Sequence, residues 1–424
     1  MRVCLKNMKY LYFNKSINEF GYYEGNCYIE NGMVTGFGNE ETGFDAVYDL
    51  TNRLVMPMMT NLNCNVEDII YRKLEANWDS TKFASLENTM GTILANHNKD
   101  YYEEIAPAAV REIVAGGTGL IGTRRCYKTL SNTPIFAMTS YPIGRSIYLR
   151  NYINQTSIDT MISANQSPNL VHGFNVRNLY DNDDGSLSLV RQNLHKVKYI
   201  ATTIGLSELS SNLVKQKWIK DELQILNTYD LLHKNTLLLG CNVLSEKDVK
   251  RIKDVEATIV YAPTMAQTLK VTPPDIMMAE NLQVLWCLSS GSPSCNDSLS
   301  MFNILKQCAN IYPSVKKELL FKAATINPVE ALNKILGIDI SGQANFTIVD
   351  APVNFTDVNS VMEYIFNANP SDLHPLLMMG GNFVTYNEPD KMEDNKNVLR
   401  SYYKRFDTFL INPNMFVTEV PQKP

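Results

Sequence analysis

The chain has 424 residues, of which 45% are hydrophobic and 20% charged, with a formal net charge of −5. This is an ordinary globular balance, long enough for one large barrel with an accessory domain. The mild acidity and the lack of any basic block argue against nucleic acid as a partner, and no apolar run approaches the roughly 18 residues that would suggest a membrane span.

In chain order, residues 1–52 read as β-rich. Residues 3–13 mix β-branched and aromatic side chains, which predicts a strand rather than a signal peptide. Residues 22–30 alternate, Asn31-Gly32 supplies a hairpin turn, and residues 33–37 return. From Leu54 onward strands alternate with helices, the pattern of a parallel α/β sheet or barrel. Strands are predicted at 54–59, 116–123, 133–139, 169–176, 197–203, 236–242, 258–264 and 284–288. Helices are predicted at 100–115, 187–194, 213–233 and 246–255, the last capped by Ser245. Two more follow at 299–311 and 315–325, with Ser314 as the cap of the second. The chain turns β again at 344–350 and 378–387. Residues 388–396 read as a solvated loop.

Eight cysteines (Cys4, Cys27, Cys64, Cys126, Cys241, Cys287, Cys295, Cys308) are scattered without a Cys-x-x-Cys pair. They predict reduced thiols and a cytoplasmic protein. The five histidines, His97, His172, His195, His233 and His374, are also dispersed. No two lie close enough to form a local zinc signature.

The stretch 54–65, LVMPMMTNLNCN, is the most telling. It resembles the first barrel strand of the amidohydrolase superfamily, where an apolar run and a proline lead through an asparagine into His-x-His. Pro57 and Asn61 keep the frame, but Asn63-Cys64-Asn65 replaces His-x-His. Further matches to the metal-dependent aminohydrolase branch follow at LSEKD (244–248), APTM (262–265), LSSGSPSCNDSLSMF (288–302), ATINPVEAL (324–332) and ANFTIVD (344–350). That branch includes the adenosine and S-adenosylhomocysteine deaminases, guanine deaminase and the triazine chlorohydrolases. The resemblance implies a (β/α)8 TIM-type barrel over 53–343, with an accessory β-sandwich built from 1–52 and 344–424.

Members of the branch hold one zinc or iron ion. Carried over position by position, its five ligands fall on Asn63, Asn65, Ala201, Gly240 and Gly291, and the strand-5 acid falls on Ile204. None of these is a His, Cys, Asp or Glu. A zinc ion lowers the pKa of bound water from 15.7 to about 7, and neutral amides cannot replace that shift. The expectation is therefore no cofactor and a degenerate metal site. Cys64, His172, Thr202, Cys241 and Ser290 stand as pocket candidates. A Cys64–His172 or Cys241–His172 pair would be the alternative nucleophile and base, and Glu208 the alternative acid. Cys64, by strand alternation, should face away from Asn63 and Asn65.

Two functional readings follow. One is an amidohydrolase-like protein without its metal, binding a small molecule or serving as a structural or homo-oligomeric partner. The other is a hydrolase acting on a non-peptide C–N bond through a remodelled site.

Overall fold

A computed structural model describes residues 1–40, 42–72, 101–143, 155–163 and 167–384. The loop reading at 388–396 and His97 lie outside the described residues.

The N-terminal strands are β1 (Arg2–Asn14), β2 (Glu19–Glu30), β3 (Met33–Gly38), β4 (Ala46–Asp49) and β5 (Arg53–Pro57). Eight parallel strands follow in sequence order: β6 (Met59–Asn61), β7 (Thr118–Arg124), β8 (Phe136–Ile143), β9 (Leu170–Asn178), β10 (Tyr199–Ile204), β11 (Thr236–Gly240), β12 (Thr258–Tyr261) and β13 (Trp286–Leu288). Between them run helices, the arrangement of a TIM barrel. The chain returns with β14 (Phe346–Asp350), β15 (Leu376–Met379) and β16 (Asn382–Val384). These join the N-terminal strands in one mixed sheet of order β16-β15-β14-β5-β1-β2-β3, with β4 paired to β1.

The run at 54–59 is not one barrel strand. β5 pairs antiparallel with β14 and parallel with β1, so it belongs to the mixed sheet. Only β6 enters the barrel, pairing with β7. Pro57, the last residue of β5, offers no N–H for pairing. The Met59 N–H donates to Thr347 Oγ1 at 2.8 Å, and that hydroxyl donates to Gly117 O at 2.6 Å. One buried threonine thus ties the mixed sheet to the first two barrel strands. β5 also lies between the N-terminal and C-terminal strands, which meet through it.

The barrel closes between β6 and the chain after β13 by side chains. Asn61 Nδ2 donates to Ser290 Oγ at 2.8 Å, and Asn61 Oδ1 accepts from Ser290 N at 3.1 Å. The Lys317–Leu336 helix backs this seam. Its Ala324 O accepts from Thr60 Oγ1, and its Asn327 Nδ2 donates to Trp286 O.

Strand alternation sorts the core. Phe174, Val176, Ile200, Leu238, Ile259, Tyr261 and Trp286 pack in one buried cluster with Leu226, Val249 and Ile252 of the outer helices. The alternate residues Tyr199, Ala201, Leu237, Leu239, Val260 and Cys287 fall in a second cluster, on the face toward the barrel axis.

Other elements depart from the sequence reading. The helix expected at 213–233 is two helices, Glu208–Trp218 and Glu222–Thr228. Ile219 ends the first in a left-handed conformation (φ 57°), and Asp221 caps the second. The strand expected at 378–387 is the β15–β16 hairpin, split by Gly380-Gly381. An unforeseen helix, Val358–Asn367, precedes it. The helix expected from 315 starts at Lys317 with Lys316 at its cap, so Ser314 does not cap it. Ser245 does cap Glu246–Asp254, with a reciprocal bond to Asp248.

Candidate functional site

A cavity of about 290 Å³ opens at the C-terminal ends of the barrel strands. β6 runs out into Asn63 and Asn65, β7 ends in Arg124, and β9 contributes Asn175, Arg177 and Asn178. Thr203 comes from β10, Gly240 and Asn242 from the end of β11, and Ala262 and Met265 from the segment after β12. Glu222 closes one side, with Tyr180, Leu209 and Leu213 at the rim.

The lining is rich in amides. The side-chain oxygens of Asn63, Asn175 and Asn242 are buried and have no hydrogen-bond partner among the described residues. These residues are only 8%, 3% and 8% exposed. The Asn242 orientation is set by its Nδ2, which donates to Leu206 O at 2.9 Å. A buried acceptor left unpaired costs about 1–3 kcal/mol, so these amides need partners from solvent or a ligand.

Arg124 is held in a buried ion-pair group. Its Nε lies 2.9 Å from Glu67 Oε1, and its terminal nitrogen lies 2.8 Å from Asp68 Oδ2. Thr123 Oγ1 donates to Glu67, and Ser292 Oγ donates to Asp68. These bonds pin the 3₁₀ turn Val66–Tyr71 over the ends of β6 and β7 and bridge it to the chain after β13.

Glu222 is the other polar feature. Its Oε2 accepts from Gly205 N and from Ser211 Oγ, both at 2.9 Å. Burial nevertheless pushes its carboxyl above the ordinary range, outweighing those two bonds.

The sequence candidates separate. Asn63, Asn65 and Gly240 line the cavity. Ala201 lies one inward-facing position below Thr203, within the barrel packing. Gly291 sits behind the lining, at φ +69°, where a Cβ would come 2.6 Å from Met265 Sδ and 3.1 Å from the Ala262 Cβ. Gly240 is at φ +83°, with Ile204 O 3.1 Å from its would-be Cβ.

Among the pocket candidates, Cys64 is fully buried in the core, and Cys241 packs with the outer cluster. Burial pushes both thiols well up, with Glu67 and Asp68 adding to it for Cys64 and Glu222 for Cys241. Neither is a ready thiolate. Thr202 Oγ1 donates to Val176 O at 2.9 Å and Ser290 Oγ to Gly291 O at 3.0 Å, so both hydroxyls are engaged with the backbone.

His172 is not at the mouth. It is the third residue of β9, three positions before Asn175 and of opposite parity to it. Its Nδ1 is within 3.1 Å of both Thr139 Oγ1 and Tyr141 OH, and its ring stacks on Tyr141. The proposed cysteine–His172 pairs therefore do not form. Glu208 is exposed in the first turn of its helix, as an ordinary solvated glutamate. His195 and His374 are exposed, and His233 is half-buried. Among the described residues no three His, Cys, Asp or Glu side chains group as a metal would require.

Sequence reasoning missed Glu222, Asn175 and Asn242. Glu222 was hidden inside an expected long helix, although Asp221 and Gln224 carry capping-box spacing. Asn175 was legible in alternation: Gly173, Asn175 and Arg177 share one face of β9 while Phe174 and Val176 share the other. Asn242 follows its strand and had no pattern of its own.

No family model matches the chain. Among solved structures, the zinc-bound atrazine chlorohydrolase of Arthrobacter aurescens superposes with a TM-score of 0.80 at 10% identity, covering 94% of this chain and all of that one. A zinc-bound adenosine deaminase from Xanthomonas campestris gives 0.80 at 12%, covering 96% and 98%. The chain shares the fold of these proteins. Guanine deaminase from C. acetobutylicum, solved with guanine bound, gives 0.77 at 14%, covering 91% and 100%.

The chain also has distant sequence relatives. It is 26% identical over 207 residues to the 5-methylthioadenosine/S-adenosylhomocysteine deaminase of Pyrococcus furiosus, matching 45% of this chain and 49% of that protein. The corresponding enzyme of Pyrococcus abyssi is 25% identical over 214 residues, 47% and 50% of the two chains. The chain thus spans about half the length of the curated relatives it matches. No helix among the described residues is long and apolar enough to cross a membrane.

Proposed function

We propose that this amidohydrolase-fold protein binds a small polar molecule at its barrel mouth without a metal ion. The observation that carries the reading is the lining: amides at Asn63, Asn65, Asn175 and Asn242 where a zinc site needs imidazole, thiolate or carboxylate donors. Two of the five ligand positions also disfavour any side chain. Residues 240 and 291 have left-handed backbone, and the space beyond residue 291 is filled by Met265. A zinc or iron ion does not fit these residues, and no step is routed through one.

A second reading is a hydrolase with a remodelled site. Glu222 favours it, since a carboxyl pushed upward beside a cavity is a natural proton donor. The names of the relatives make purine nucleosides the first compounds to test under either reading.

The test is a ligand-stabilisation screen on the dialysed full chain, run with and without chelator. Binding to the folded state raises the thermal midpoint. Metal-independent binding with no turnover is expected. One stoichiometric metal per chain, or turnover abolished by chelator, would return the protein to metal-dependent hydrolysis.

A further inference from the structure

We infer that the mouth selects a nitrogen-rich donor head, an amidinium, guanidinium or primary ammonium, carried on a short apolar body. The inference rests on the small-molecule reading above. Its first support is the buried amide oxygen of Asn242, which has no partner and is fixed in place, beside the partnerless amides of Asn63 and Asn175. An asparagine with neither atom engaged can turn about its terminal bond and offer its NH2 group instead. Asn63 and Asn175 have that freedom. Asn242 does not, because Leu206 O holds its Nδ2. Glu222 offers only acceptors when ionised, and both its bonds fall on Oε2, leaving Oε1 without a bond among the described residues.

Charge points the same way. The cavity lining holds two guanidiniums, Arg124 and Arg177, and two carboxyls, Asp181 and Glu222. Arg124 is committed to Glu67 and Asp68. With the Arg124 charge met by Glu67 and Asp68, a ligand cation can pair with Asp181 or Glu222 in a partly desolvated cavity, where charge-assisted bonds are strong.

The apolar body follows from the rim. Tyr180, Leu209 and Leu213 line the cavity and are 47%, 50% and 36% exposed. They form one apolar side above the polar floor. A cavity of about 290 Å³ sits at the small end of ligand sites, which suits a single ring.

Benzamidine, benzamide and benzoate form a matched set of cation, neutral amide and anion on the same ring. Calorimetric titration of the full chain should rank them in that order, with benzamide about tenfold weaker than benzamidine and benzoate without measurable binding. Asn175→Leu should weaken benzamidine about tenfold. Asn175→Asp, nearly the same shape, should strengthen it and keeps the test open if the leucine variant fails to fold. Benzoate binding as well as benzamidine would overturn the donor-head inference and leave the binding reading intact. So would failure of all three beside a nucleoside that binds at the mouth. If no compound binds in this set or in the wider screen, both readings fall.

Discussion

Gly291 offers the most direct test of how the mouth is built. An alanine there takes a left-handed backbone at φ +69° and places its methyl 2.6 Å from Met265 Sδ and 2.9 Å from Met265 Cβ. The conformation costs about 1–2 kcal/mol for a residue with a Cβ. Overpacking adds about 1–3 kcal/mol, for a total of about 2–5 kcal/mol. Gly240→Ala is the control. Its φ is +83°, but its nearest neighbour stands at 3.1 Å rather than 2.6 Å, so conformation dominates and about 1–2 kcal/mol is expected. Urea unfolding followed by tryptophan fluorescence, which includes buried Trp286 on the strand just before Gly291, reads both. Adding Met265→Ala should recover the steric part at Gly291 but not at Gly240, a coupling of about 1–3 kcal/mol in a double-mutant cycle. Gly291→Asp should carry a similar penalty and gain no zinc. A Gly291→Ala protein within about 0.5 kcal/mol of wild type would refute the claim that Met265 closes this position.

Four further outcomes are expected. Glu222→Gln keeps an oxygen to accept from Gly205 N and Ser211 Oγ while removing a carboxylate whose folded-state pKa is raised. The protonated form is the one the fold favours, so this group's contribution is full below the ordinary glutamate range and lost as pH rises through the folded pKa. The variant should therefore gain stability relative to wild type as pH rises from that range, and a constant difference between pH 4 and 8 in thermal melts would count against the burial of Glu222 (about 4.3 being the unperturbed value). Asn61→Leu, which opens the seam to Ser290 and strands buried groups, should cost about 1–3 kcal/mol in urea unfolding; no loss would mean the seam closes by other means. Thr347→Val should cost a similar amount by stranding the Met59 N–H, and a neutral result would remove the threonine as the tie between the sheets. All eight cysteines are buried and none is in a disulfide, with Cys27 and Cys308 pushed up to about 12, so none should react promptly with a thiol reagent until urea is added; a fast-reacting thiol in the native protein would contradict this.

Much of the fold was legible because local patterns repeat the period of the structure they form. The Asn31-Gly32 turn joins β2 to β3, and every barrel strand lies within or beside its predicted segment. The site was less legible. His172 shares by alternation the face of Phe174 and Val176, away from Asn175, and its depth along the strand depends on register. Glu222 reaches the cavity only because Ile219 and Asp221 break a helix that periodicity alone would continue.

The sequence by itself determined the residue types available: asparagines at 63 and 65, glycines at 240 and 291, and dispersed histidines. Those are chemical identities, and no folding changes which atoms a side chain carries. Tertiary structure decided where they go. It divided residues 53–61 between two sheets, placed Met265 beside Gly291, and brought Asn63, Asn175 and Asn242, separated by up to 179 positions, to one cavity. Such convergence depends on register and closure across eight strands, which no local pattern encodes.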